Sequence, residues 1–420
     1  MSAGGFLDWL YGLQVHGIKL GLTNITELLR RLGDPQDRFK SVHVAGTDGK
    51  GSVAACIEAV LRRSGFATGL YTSPHLVDFN ERIRVSGRMI DDERLSELAA
   101  ELMPVVDRMA AEGMRCTFFE ATTALAFMHF EREGVEYAVV EVGMGGRFDA
   151  TNVITPEVCA ICNISLEHTE YLGCTLESIA YEKAGVMKPG VPCVTMNSDP
   201  VFETLSAVAA EKGAPLTRVL PEDIVLRASR RDGVDFTYRG EDRTVSIPGR
   251  HQAANAALAI AALSTLDGFE ERIRDNLREG LASTEWACRM QKVGGLPLII
   301  DVTHTRKGSE DLAADIRELY GKVLLVFGAL GDKDLEHISE NLSGIAERAI
   351  VTAPDSDRAA SVDRLLPIAE GFFEQVVPAA DVAEAMDTAF GMRHEDETIL
   401  VTGSLHMAGE ALVWLRRTYS

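Results

Sequence analysis

Between Gly46 and Ser52 the chain reads Gly-Thr-Asp-Gly-Lys-Gly-Ser, a glycine-rich stretch with one lysine and, two residues later, a hydroxyl. Such a turn points successive backbone N–H groups into one concavity, and a helix starting there adds unpaired amides and the positive end of its dipole. The chemistry that suits it is phosphate binding, with Lys50 neutralising phosphate oxygens and the Ser52 hydroxyl available to Mg²⁺. The spacing departs from the common G-x-x-x-x-G-K-[ST] pattern, because Val44 stands in the place of the first glycine and Gly51 separates Lys50 from the hydroxyl. Two more polar groups, Glu141 and His168, stand at or just beyond the ends of apolar runs. Buried parallel strands deliver such residues to the sheet edge where ligands bind, so a metal–nucleotide cleft is expected.

The elements that must position these groups follow from the patterning. Ser41 to Ala45 is short, apolar and β-branched, as a buried strand is, and beyond the glycine turn Val53, Ile57, Val60 and Leu61 recur at helical spacing. Residues up to about Phe39 read as helices leading into that strand. After a strand from Ala67 to Thr72 comes SPHLVDFNERIRVSGRMI, a polar stretch without helical period, read as a loop of functional length in which Arg82, Arg84 and Arg88 offer cations. Helices are expected over Asp91–Met109, with Asp91 or Asp92 at the cap and a kink at Pro104, and over Thr117–Glu131. Tyr137–Val142, Val158–Ile164 and PCVTM read as strands and Thr175–Val186 as a helix. Val219–Ile247 alternates as antiparallel strands do, HQAANAALAIAAL is an alanine-rich helix, and from LIIDV a new β–α alternation begins. The expected fold class is α/β: a P-loop-type, mostly parallel sheet ATPase domain over residues 1–295, followed by a smaller Rossmann-like α/β domain over residues 296–420.

The 420 residues are 46% hydrophobic and 25% charged, a globular balance, and a formal net charge of −21 argues against a general nucleic-acid-binding surface. Seven cysteines, an odd number, do not form a disulfide framework in a chain of this size. Cys159 and Cys162 make a C-x-x-C, but no second pair stands at zinc spacing, so buried thiols are expected. The N-terminus lacks the basic region and apolar core of a signal peptide, and no apolar run reaches about 18 residues, so a cytoplasmic protein with no membrane partner is expected.

Taken together the motifs resemble those of the folylpolyglutamate synthase/dihydrofolate synthase family, a branch of the Mur ligases. AGTDGKGS is similar to the family's G-T-N-G-K-G-S, with Asp48 in place of Asn, and EVGMGGRFDATNV is similar to its second signature. TSPHL, ERIRVSG, IAYEKAGVMKPG, HQAANAALA, RMQ, GDKD and VTGSLHMAGE follow in the family's order, so the resemblance runs from Val42 to Glu410. It implies a monomeric ligase in which ATP phosphorylates the carboxylate of a folate or pteroate-type substrate and the amine of L-glutamate attacks the acyl phosphate.

The resemblance also implies site residues. Gly46, Thr47, Gly49, Lys50, Gly51 and Ser52 would hold the nucleotide phosphates, with Asn255 near the adenine, Arg289 reaching the phosphates and Asp301 contacting nucleotide. Ser73, Glu141 and His168 match Mg²⁺-binding positions. Lys183 matches a lysine carbamoylated by CO₂, whose new oxygens serve a second magnesium. Ser73, Pro74, His75 and Arg82 would meet the substrate, and His304 is the candidate general base for the glutamate amine, so the catalytic set is Lys50, His168, Lys183 and His304. The chain departs from the family's D-G-A-H-N-P at Val302, Thr305 and Arg306, and has Glu167 before His168 where Asp is usual. Two other readings stay open: a Mur-type ligase acting on another pterin or cofactor carboxylate, joined to another amino acid or closed internally, which the altered Asp301–Gly308 loop supports, and a nucleotide-binding protein without ligase activity, which the joint presence of Lys50, Glu141, His168, Lys183, Asp301 and His304 argues against.

Overall fold

A computed structural model describes residues 3–17 and 21–419 as two compact α/β units. The first comprises Met1–Ile224, Tyr238–Gly240 and Ala254–Thr284, and the second Val225–Thr237, Glu241–Ala253 and Glu285–Ser420. Among the described residues no helix is long and apolar enough to cross a membrane.

The first unit is built on strands β1 (Lys40–Ala45), β2 (Thr68–Tyr71), β3 (Ile83–Val85), β4 (Arg88–Met89), β5 (Tyr137–Glu141), β6 (Val158–Ile161), β7 (Cys193–Thr195) and β8 (Leu216–Arg218). They form one sheet in the order β4-β3-β2-β5-β1-β6-β7-β8. From β2 to β8 neighbours are parallel, and the residues of β2, β5, β1, β6 and β7 are almost all buried, which is why these strands read as continuous apolar runs. The register sets Val44 beside Glu141 and Ala45 beside Ile161, so β1, β5 and β6 end level with one another. Helices cover this sheet and bury separate apolar clusters, one around Phe127, Phe130 and Leu102 and another around Ile179, Leu205 and Ile161.

The helices before β1 are Ala3–Gly12 and Thr23–Arg31; the part of that expectation falling on residues 18–20 lies outside the described residues. Asp91 caps the helix Asp92–Ala111 by accepting from the Arg94 N–H at 2.7 Å, and Pro104 lies inside that helix. The polar stretch after Ser73 is no plain loop. It contains a short 3₁₀ turn, Phe79–Arg82, and the antiparallel strands β3 and β4, which extend the sheet edge from β2. What orders it is the Glu81 carboxylate, which accepts from the backbone N–H groups of Leu76, Val77 and Asp78 at 2.8, 3.0 and 2.9 Å.

Strands β9 (Ile224–Arg230), β10 (Gly233–Tyr238) and β11 (Glu241–Val245) form a separate three-stranded sheet. The second unit carries β12 (Gln291–Lys292), β13 (Leu298–Ile300), β14 (Val323–Phe327), β15 (Arg348–Val351), β16 (Gln375–Pro378) and β17 (Thr398–Thr402), in the order β12-β13-β17-β14-β15-β16. Only β12 runs antiparallel there, and its pairing with β13 ties the segment from Arg289 to this sheet. Helices Arg306–Leu319, Leu335–Ser343, Val362–Glu370, Val382–Met392 and Leu405–Tyr419 alternate with these strands.

Candidate active site

The glycine turn sits between β1 and the helix Lys50–Arg63. Gly46 has φ 139° and Gly49 φ 90°, backbone that side chains resist. Space excludes them as well: a Cβ on Gly46 would lie 2.6 Å from the Cys162 Cβ, and one on Gly49 2.5 Å from the Asn255 Oδ1. Asn255, at the start of the helix Gln252–Leu263, therefore packs on the phosphate loop itself. The loop is also tied to the segment after β6. The Thr47 N–H donates to the Asn163 carbonyl at 2.7 Å, and the Ser165 hydroxyl donates to Asp48 at 3.0 Å. Asp48 thus gains a partner, Ser165, suited to a carboxylate. Gly51 and Ser52 are buried in the first turn of the helix.

Two lysines meet on one carbonyl. The Lys50 ammonium donates to the Gly46 and Thr47 carbonyls at 3.2 and 3.1 Å, and Lys183 donates to the same Gly46 carbonyl at 2.7 Å. Lys183 is buried, and that burial, with the Lys50 charge adding to it, lowers its pKa to about 7. Burial thus favours the neutral amine, an unusual state for lysine.

Glu141 ends β5, buried, and accepts from the Ser73 backbone N–H at 3.2 Å. Ser73, two residues beyond β2, reaches it because β2 and β5 are parallel neighbours. His168 stands on left-handed backbone, φ 51°, at the head of the short helix Thr169–Leu172, exposed and 3.9 Å from Glu167. Ser73, Glu141 and Lys183 are thus placed on the edge where β2, β5 and β1 end. Among the described residues no three His, Cys, Asp or Glu side chains form a metal-ligating group.

Arg82, one of the cations of the segment after Ser73, does not stand open to solvent. It is buried, donates from Nε to the His75 Nδ1 at 2.7 Å and lies 5.3 Å from the Phe118 ring centre, and burial lowers its pKa. Tyr11 stacks on Phe118 at 5.6 Å, and Phe79 meets Phe118 edge-on at 6.4 Å. This aromatic shelf is invisible in the sequence, because Tyr11, Phe79 and Phe118 come from three distant segments. Pro74 is exposed beside it.

A second group escapes sequence reasoning. Asp149 accepts from the N–H groups of Met144 at 2.9 Å and Thr151 at 3.0 Å, and from the Thr151 hydroxyl, whose oxygen is 2.9 Å from the His43 Nε2. This buried chain pins the glycine-rich turn after β5 to the middle of β1. Burial lowers the His43 pKa to about 3 and raises that of Asp149. The C-x-x-C thiols of Cys159 and Cys162 are buried and unpaired by disulfide, with burial pushing both up to about 12.

In the second unit Asp301, buried, accepts from the Met290 N–H at 2.9 Å and the Thr303 N–H at 2.7 Å. Arg289 is flanked by Cys288 and Met290, both on left-handed backbone (φ 57° and 44°), conformations that cost energy and persist where neighbours enforce them. The His304 Nδ1 lies 2.9 Å from the Val302 carbonyl, an acceptor for an N–H on that nitrogen. Thr305 caps the helix Arg306–Leu319 by accepting from the Gly308 N–H at 3.1 Å.

Comparison with known proteins matches this geometry to one family. The Mur ligase middle domain matches residues 44–263, and the Mur ligase glutamate ligase domain matches residues 288–405. A dihydrofolate synthase/folylpolyglutamate synthase of Bacillus subtilis is 32% identical over 419 residues, covering 96% of each chain. A probable bifunctional folylpolyglutamate synthase/dihydropteroate synthase of Haloferax volcanii is 36% identical over 98% of this chain, which spans 50% of that longer protein. Among solved structures, a Mycobacterium tuberculosis folylpolyglutamate synthase complexed with ADP superposes with a TM-score of 0.87 at 31% identity, covering 98% of both chains. An Escherichia coli FolC in complex with DHPP and ADP gives 0.86 at 29% identity, covering 100% of this chain and 99% of that one. The chain belongs to the folylpolyglutamate synthase/dihydrofolate synthase family of the Mur ligases.

Proposed function

We propose that this chain is an ATP-dependent ligase that joins L-glutamate to the carboxylate of a dihydropteroate or folate through an acyl phosphate. The observation that carries the reading is the meeting of Lys50 and Lys183 on the Gly46 carbonyl, at the strand edge that also holds Glu141 and Ser73.

A carboxylate alone is a poor electrophile, since its leaving group would be oxide. Its oxygen attacks the γ-phosphorus, the bond to ADP breaks, and the acyl phosphate so formed has a good leaving group. The glutamate nitrogen then attacks the acyl carbon, phosphate departs and the nitrogen loses its proton. The first step needs alignment and charge neutralisation more than covalent help. The loop N–H groups orient the phosphates, and Lys50 exchanges its loop carbonyls for phosphate oxygens. The oxygen donors of Glu141 and Ser73, with the His168 imidazole, fit Mg²⁺, which when bound neutralises phosphate charge. The Lys183 amine, neutral in part, is in the state that adds CO₂, and its carbamate would supply anionic oxygens at the same edge. His304, an imidazole of the second unit in the loop after β13, is assigned to take the proton from glutamate. Tyr11, Phe118 and Arg82 offer a planar aromatic ring and an anionic tail their contacts.

Rates of ADP release test the reading. With ATP, Mg²⁺ and bicarbonate present, release is expected only when L-glutamate and either dihydropteroate or tetrahydrofolate are added together. Equal rates with other amino acids, or no release with either carboxylate, would sink it.

A further inference from the structure

The helix Leu176–Ala184 carries Lys183 next to its last residue, so the place of that amine depends on how the helix ends. A helix end leaves carbonyls unpaired and concentrates negative charge there. Here one side chain takes them. Lys212, the last residue of the helix Val201–Lys212, donates to the carbonyls of Ala184, Gly185 and Met187 at 3.4, 3.0 and 2.9 Å. An ammonium has three N–H donors and no acceptor, so three carbonyls match its capacity.

The remaining neighbours tie the same end to the turn after β5. The Arg147 N–H donates to the Glu182 carbonyl at 2.8 Å, and Asn152 donates to the Gly185 and Arg147 carbonyls at 3.2 and 3.0 Å. Gly185 lies so close to Arg147 that a Cβ would collide with its backbone. A helix end held this way from two sides leaves the Lys183 amine one direction, toward the Gly46 carbonyl at 2.7 Å.

We propose that Lys212 is a positioning residue for the ligase reaction, gripping the carbonyls after Lys183 so that its amine is presented at the phosphate loop for carbamoylation. The proposal rests on the carbamate reading of Lys183. The hydrogen bonds of Lys212 go to the helix end, and it acts through that end. An apolar residue there removes the one group that joins all three carbonyls, leaving the Ala184 carbonyl to the Met187 N–H and the Gly185 carbonyl to Asn152, and loosens the last turn, so the amine spends less time in place.

The test uses the full chain as wild type, Lys212→Met and Lys212→Arg, with ¹³C-bicarbonate NMR to follow the carbamate resonance, assigned by its loss in Lys183→Ala. Lys212→Met is expected to need about tenfold more bicarbonate for half-occupancy, the fold-change of one lost hydrogen bond to a charged group. Its affinity for ADP should stay at the wild-type value, and Lys212→Arg should restore most of the bicarbonate affinity. If Lys212→Met fails to fold by circular dichroism, Lys212→Gln, which keeps an amide donor, takes its place with a smaller shift in the same direction. A wild-type bicarbonate requirement in the folded variant overturns the proposal alone. A wild type with no carbamate resonance overturns the Lys183 reading, and the proposal with it.

Discussion

Lys183 is a lysine whose surroundings favour its neutral form. Burial is the larger cause and the nearby Lys50 charge the second, and together they bring its pKa to about 7. The reactive form toward CO₂ is the free amine, so its fraction rises as pH passes upward through that value. Initial rates at limiting bicarbonate are therefore expected to climb between about pH 6 and 8. A flat profile, or one that falls, would contradict this role. The folded amine also holds its proton less firmly than the unfolded one, so the stability cost is full below the folded pKa and fades as pH rises toward the ordinary lysine range. For Lys50 we propose that the charge itself is the contribution. Lys50→Met should lower kcat by roughly 10²–10³-fold, as losing one oriented transition-state contact does, with melting temperature little changed; a variant that keeps wild-type turnover would remove Lys50 from the mechanism.

At the scale of elements, the phosphate loop works because β1 ends level with β5 and β6 and because glycine alone fits its first bend. Gly46→Ala must push a methyl against Cys162 on left-handed backbone, so calorimetry should show ADP affinity lost while circular dichroism shows the fold kept. Retained affinity would mean that the loop can bend another way. The altered loop after Asp301 is explained at this scale too. Thr305 caps the next helix through its hydroxyl, the service an Asn gives at the same place, and Arg306 takes the first helical position where Pro is favoured but not required. The departure therefore leaves the helix start intact. Thr305→Ala should cost about 1 kcal/mol in denaturant unfolding, and no loss would show that the cap is idle. Strand β1, the phosphate loop and Glu141 were legible because a buried parallel strand is a continuous apolar run and the glycine spacing is local. The segment after Ser73 was not: strands of two and three residues have no period to read, and its order comes from one carboxylate, Glu81. The helix Arg306–Leu319 was missed because it buries little apolar surface, through Leu312, Ala313 and Ile316. Arg82, Tyr11 and Phe118 were invisible as a group because packing, and not spacing, assembles them.

At the scale of the whole molecule, a formal net charge of −21 spreads self-repulsion over the chain, and the anionic substrates of the proposed reaction would be met by local cations, for which we propose Lys50, Arg82 and Arg289. Screening that repulsion should raise the melting temperature by a few degrees between roughly 0.05 and 0.5 M NaCl; a falling melting temperature would show that attractive ion pairs dominate. The family assignment rests on both units together, since the middle-domain match covers residues 44–263 and the glutamate-ligase match residues 288–405. The most direct test is mass spectrometry of the products formed from dihydropteroate and from tetrahydrofolate, each offered separately with ATP and L-glutamate. The expected product is the acceptor extended by glutamate in amide linkage, with one ADP released for each bond formed. ATP turnover that leaves both acceptors unchanged would contradict the account.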